Sequence, residues 1–168
     1  GKLTGDMTYD GKTGRNDAGA LCQAEAANAK YANAGNFNAY LGTSADHAVC
    51  HVLGLTCKVG ASRGLGTLPS TNPWRRPDNY PVGTAAQLAV ADLTAPIAFA
   101  ADGSARFEER PWTGTPSNGS ASSTCSDWSS ADAGSSGIVG LARALTNGFT
   151  YFTSPKCSSP QPVYCFER

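Results

Sequence analysis

The side chains in this sequence with chemistry to offer are two histidines, six cysteines, a scatter of carboxylates and one Trp-Arg-Arg cluster. His47 and His51 stand four apart with Cys50 between them, a spacing that would face one zinc ion if the segment were helical. A zinc site needs at least three protein ligands, and no third is spaced to join them, so the pair reads as two loop histidines beside a disulfide. A Ser-His-Asp or Cys-His system would have to use one of these two, and every cysteine has a bridge partner in prospect. Asp78, Asp92, Asp102, Glu108, Glu109, Asp127 and Asp132 follow no pattern that sets up a general acid beside a base, and read as turn and surface residues. The expectation is therefore a protein that is not an enzyme, with no cofactor and no metal.

Trp74, in Asn72-Pro73-Trp74-Arg75-Arg76-Pro77-Asp78, lies in a proline-rich stretch without strand periodicity. An exposed Trp beside Arg and Asp suits sugar stacking or protein contact; the other reading is a Trp folded over the edge of the core. Trp112 and Trp128 read as core, since large aromatics dominate burial. The candidate ligand-binding residues are Trp74, Arg75, Arg76, Asp78, Asp127 and Asp132, in two loop regions around 63–80, which also holds Arg63, and 114–135. Asn118-Gly119-Ser120 is a glycosylation sequon, meaningful only in a cell with that machinery.

Six cysteines in a Gly-, Ser- and Thr-rich chain with few charges read as disulfides and an oxidising compartment. No two are three apart, which removes the Cys-x-x-Cys metal pattern, while Cys50 and Cys57, seven apart, suit a local staple. Thirteen basic and thirteen acidic residues cancel, which gives no support to nucleic-acid binding. The most apolar stretch, 85–101, is broken by Gln87, Asp92, Thr94 and Pro96, so no membrane span is expected. The 168 residues suit one domain with a real core. A start at Gly1, without a leader, fits a mature exported protein.

Several elements must position these side chains. Leu3, Met7 and Tyr9 sit at even offsets, as on one face of a strand in 1–15. Asn16 is a good N-cap for a helix that buries Ala18, Leu21, Cys22 and Ala29. Residues 37–41 alternate as a strand with Phe37, Ala39 and Leu41 inward. From Gly42 to Pro81 no periodicity is convincing, and a loop that long is usually functional or wrongly assigned. Residues 85–93 fit a short helix or a strand pair around a turn. Ile97, Phe99 and Ala101 alternate ahead of the Asp102-Gly103 turn, with 107–112 as partner strand. The segment 114–140 has linker composition but carries Cys125 and Trp128, so it reads as an ordered loop held by a bridge. Residues 149–152 and 163–166 read as two further strands.

A set of anchors spread over almost the whole chain resembles a family. They are Tyr9-Asp10-Gly11, Asp17 to Gln23, Phe37 to Leu41, Ala101-Asp102-Gly103, Trp112-Thr113-Gly114, Cys125-Ser126-Asp127-Trp128, Cys157 and Tyr164 to Glu167. Together they resemble an uncharacterised family of bacterial secreted domains with a C-type-lectin-like fold, akin to the endostatin domain of collagens. The resemblance implies an α+β fold with a small twisted antiparallel sheet, one or two helices and long stapled loops. It implies the bridges Cys22–Cys165 and Cys125–Cys157, which leave Cys50 with Cys57. The calcium loop of sugar-binding C-type lectins, Glu-Pro-Asn or Gln-Pro-Asp, has no counterpart: Gln161-Pro162-Val163 lacks the acidic ligand. The arginine cluster of the endostatin branch is reduced to Arg75 and Arg76, with Arg63 nearby. The expected function is an exported, non-enzymatic recognition module, located outside the cell or on its surface. It would bind a glycan or a cell-surface protein without obligatory calcium. The alternative is a structural subunit of a fibre, coat or appendage, in which copies pair through the strand-like residues 1–9.

Overall fold

The computed structural model describes residues 1–55, 57, 68, 72–115 and 123–168. It is a small α+β fold with few helices, two short antiparallel sheets and three disulfides. Helix α1 (Arg15–Asn28) is alanine-rich, which favours helix, and buries Ala18, Gly19, Leu21, Cys22 and Ala26. Its N-cap is Gly14, with no side-chain cap, so Asn16 sits inside the first turn instead of capping it. The helix stops where Lys30 turns left-handed at φ 63°. There Tyr31 N–H bonds the Ala26 carbonyl and Lys30 N–H the Ala27 carbonyl, a Schellman ending that uses Lys in place of Gly and leaves Ala29 only half-buried.

Strand β1 (Phe37–Ala39) follows and pairs antiparallel with the C-terminal strand β4 (Cys165–Glu167), Asn38 opposite Phe166. Between them in sequence lie α2 (Ala48–Leu53), β2 (Trp74–Arg75), β3 (Pro81–Gly83) and α3 (Ala85–Ala89), with β2 and β3 forming the second sheet. The segment 37–41 divides two apolar clusters. Ala39 and Leu41 point into one with Leu21, Cys22, Trp112 and Trp128. Tyr40, one residue out of phase, points into the other, where its ring lies 5.2 Å from Phe149 and 5.8 Å from Phe166. Alternation places Tyr40 in solvent; it is fully buried because this strand is covered on both faces.

The aperiodic stretch after Gly42 contains α2. His47 caps its start by accepting from Val49 N–H on Nδ1 (3.2 Å), and Gly54 closes it at φ 68°. Residues 85–93 resolve as α3, because Thr84 and Gln87 form a reciprocal capping box. Three expected strands are absent. In 97–101 the inward residue is Ala98, opposite in phase to Ile97 and Phe99, and a single bridge, Phe99 to Ala105, forms across the turn. Residues 107–112 do not return as a strand: Glu109 N–H turns back to Arg106, and Pro111 has no N–H to offer a ladder. Residues 149–152 begin as the end of a 3-10 turn, Asn147–Phe149.

Residues 1–9 are likewise not one strand. Leu3 exchanges both backbone bonds with Gln161 (2.8 and 2.9 Å), and Gly5 N–H bonds Cys157 O, after which Met7 turns to φ 54°. Leu3 and Met7 are buried nonetheless. The disulfides Cys22–Cys165, Cys50–Cys57 and Cys125–Cys157 join α1 to β4, the middle of α2 to Cys57 beyond it, and 125 to 157 across 32 residues. Gly5 and Gly137 pass so close to the Cys125 sulfur that a Cβ at either would collide with it. Trp112 and Trp128 are fully buried with rings 5.8 Å apart, edge to face; their indole N–H groups donate to Leu3 O (2.8 Å) and Gly42 O (2.6 Å).

Opening the Cys22–Cys165 bridge by the double substitution Cys22→Ala and Cys165→Ala should lower stability by about 4–5 kcal/mol on the loop-entropy account. Urea unfolding monitored by tryptophan fluorescence reads this directly; a loss below about 1 kcal/mol would show that the bridge is not what holds α1 to β4.

Candidate functional site

A cleft of about 900 Å³ runs along β4. One wall is Phe37 with residues 163–167; the other comes from 73–77 and from the segment 97–111. Trp74, Arg75 and Arg76 all line it, joined by Phe99, Arg106 and Glu109 from distant sequence. Asp78 stands behind Arg76, and neither Asp127 nor Asp132 lines the cleft. The structure thus brings together the first half of the sequence-derived set and separates the second. Arg63 and Asn118 lie outside the described residues.

Trp74 is half-buried, its edge packed on Phe166 (5.2 Å between ring centres) and its indole N–H donated to Glu167 O. It is a hinge post between the two walls, closer to the core-edge reading than to a free stacking platform. Arg75 is exposed, donating to Asn79 O at 2.8 Å. Arg76 is fixed: its guanidinium grips Asp78 through two bonds of 3.0 and 2.6 Å and lies over the rings of Phe99 (4.5 Å) and Tyr80 (5.1 Å). The Arg76 bonds hold the Asp78 carboxyl below the usual carboxylate range, and Ser104 does the same for Asp102 at the cleft's far side. Glu109 pairs with Lys2 at 3.0 Å and Glu108 with Arg143.

Asp127 has a different task. Residues 125–128 form one left-handed turn, with φ of 51, 57, 53 and 65° at Cys125, Ser126, Asp127 and Trp128. L-residues resist this by roughly 1–2 kcal/mol each. The Cys125 bridge and the buried Trp128 anchor its ends, and Asp127 clamps its middle. Its carboxylate accepts from Ser44 N–H (2.7 Å), Ser44 Oγ (2.6 Å) and Thr124 Oγ1 (2.9 Å). Burial pushes its pKa up, but these donors outweigh burial and leave it below the usual range. Asp132 closes a local turn with Ser130 and Ser135.

His47 caps α2, and His51 lies on the next turn with a buried Nε2 that has no hydrogen-bond partner among the described residues. Nearby, Arg15 pairs with Asp46 at 3.3 Å, and Asp46 accepts from Cys57 N–H at 2.9 Å. Among the described residues no three of His, Cys, Asp and Glu gather as metal ligands. Burial first, and the Arg15 charge second, lower the His51 pKa to about 4, against an opposing pull from Asp46. What sequence reasoning missed is the contribution of Phe37, Phe99, Arg106 and Glu109, which meet Trp74 only through the tertiary fold.

Two variants probe these assignments. Asp127→Asn should cost about 1–2 kcal/mol in urea unfolding at pH 7. The difference from the parent should shrink as pH falls through the native Asp127 pKa, because the stabilising form is the carboxylate. A constant difference down to about pH 2 would refute the clamp. For His51 the depressed pKa means stability is full above pH 6.5 and declines as pH falls toward about 4. His51→Gln should flatten the stability–pH curve in that window, and an unchanged slope would assign the decline to other groups.

No curated protein matches the chain. A family model does, over residues 6–145, which takes in the helix, both sheets' first strands, the cleft wall at Trp74 and the left-handed turn. The chain belongs to the family described as protein of unknown function, DUF1554.

Proposed function

We propose that this chain is an exported recognition module of C-type-lectin-like type, which holds a glycan or a cell-surface partner in the cleft along β4 and does so without calcium. The observation that carries this reading is the cleft itself: its volume lies within the range of ligand sites, and aromatic side chains and guanidinium groups converge on it from three separate segments. Arg75 and Arg106 line it without an ion-pair partner among the described residues. The lectin-like reading is supported by the pairing of β1 with the last strand and by the bridge from the first helix to that strand. Export is supported by three disulfides, which form and persist in oxidising compartments. Among the described residues no helix is long and apolar enough to cross a membrane.

The reading of the chain as a subunit of a fibre or coat drew on residues 1–9 as a free strand. The backbone groups of Leu3 and Gly5 are bonded within the chain, to Gln161 and Cys157, so that observation no longer favours it.

A glycan array and a panel of cell-surface proteins, each run with calcium and with chelator, test the proposal. For any ligand found, Arg75→Ala with Arg106→Ala should weaken binding at least about tenfold, a loss of one or two charged contacts, with the chelator changing nothing. Binding that survives the double variant, or that disappears with the chelator, would overturn it.

A further inference from the structure

The two edges of β4 are used differently. Tyr40 N–H bonds Tyr164 O and Arg168 N–H bonds Asn36 O, so in this register the bonded pairs are 40/164, 38/166 and 36/168. Antiparallel ladders alternate, and the backbone groups of Cys165 and Glu167 therefore point away from β1. By the same parity Val163 and Gln161 also point to that outer edge. At Gln161 the edge is taken by Leu3, bonded in both directions. Trp112 bridges to Val163 in parallel, but through Pro162 O on the β1 side; beyond Gln161, among the described residues, no strand pairs with the outer edge at Cys165 and Glu167, and both line the cleft. The Trp74 indole caps Glu167 O on this edge.

We infer that the ligand of this cleft is an extended polypeptide segment of a partner protein, added as a strand antiparallel to β4. It would continue the line begun by the Leu3–Gln161 pair. This deepens the cleft reading above and rests on it. An unpaired edge is a template for exactly one kind of occupant, an extended backbone; main-chain bonds supply affinity, and side-chain pockets select the sequence. The established pair fixes the geometry. Leu3 opposite Gln161 puts residue 1 opposite Val163, so an incoming strand has its next fully bonded position opposite Cys165, and opposite Glu167 it meets only the N–H, since Trp74 holds the carbonyl. Phe99 and Arg75 on the facing wall would meet side chains of the added strand.

The test extends the chain itself. Six alternating Val and Thr residues placed before Gly1 present a strand at high effective concentration, with no assumption about the natural partner. The residue two places before Gly1 should then show cross-strand NOEs to Cys165, and the residue four places before should show them to Glu167. An extension alternating Thr with Pro, with Pro at those two positions, lacks the N–H groups and should lose these NOEs. A Val-Thr extension that stays mobile, or that packs away from Val163–Glu167, would overturn strand addition while leaving the cleft reading to the ligand panel. An oligosaccharide that shifts the Arg75 and Phe99 signals but not the Val163, Cys165 and Glu167 amides would also overturn it, and would place a glycan there.

Discussion

Strand β4 is held along one edge and by its side chains, and the rest of the fold is built around that. One edge carries β1; the Cys165 side chain is bonded to Cys22 on α1; Phe166 enters the aromatic cluster with Tyr40 and Trp74. Just upstream, Pro162 O receives Trp112 N–H and Gln161 pairs with Leu3. The N-terminal segment, α1, β1, Trp74 and Trp112 therefore all meet the stretch 161–167. With so few regular elements, the backbone polar groups that would otherwise be satisfied in long ladders find partners through single bridges and indole N–H donors instead. The two core tryptophans work this way, donating to carbonyls 109 and 86 residues distant in sequence.

The same economy explains the local strain. The left-handed turn at 125–128 brings the Cys125 sulfur against Gly5 and Gly137 and swings Trp128 under Gly42. Its cost is met by a disulfide, a buried indole and the Asp127 clamp on Ser44, none of which a right-handed turn at this position would align. Asp127 thereby serves the fold and does not line the cleft.

Much of this was legible in the residues, and the exceptions have physical causes. The first helix shows in its alanines and in Cys22, and the Thr84–Gln87 capping box was written in the sequence, although the strand alternative stayed open there. Cys50 and Cys57 announced a local staple by spacing alone. Alternation failed where a strand is covered on both sides, as at Tyr40, and where an alternating run pairs through a single bridge only, as at 97–101. Helix α2 was hidden because its cap is a histidine and its six residues span too little to show a period. Trp74, Arg75 and Arg76 were recognisable as a cluster, but Phe37, Phe99 and Arg106 become their neighbours only when β4 closes the chain.

The central claim is that β4 has one closed and one open edge, the open one facing the cleft. Residue-resolved amide hydrogen exchange of the unmodified chain measures this directly. The account predicts slow exchange at Asn38, Tyr40 and Phe166, whose N–H groups lie in the ladder, and exchange faster by at least about a hundredfold at Val163, Cys165 and Glu167. Equal protection on the two sets would mean that the outer edge is already occupied, and would contradict the account.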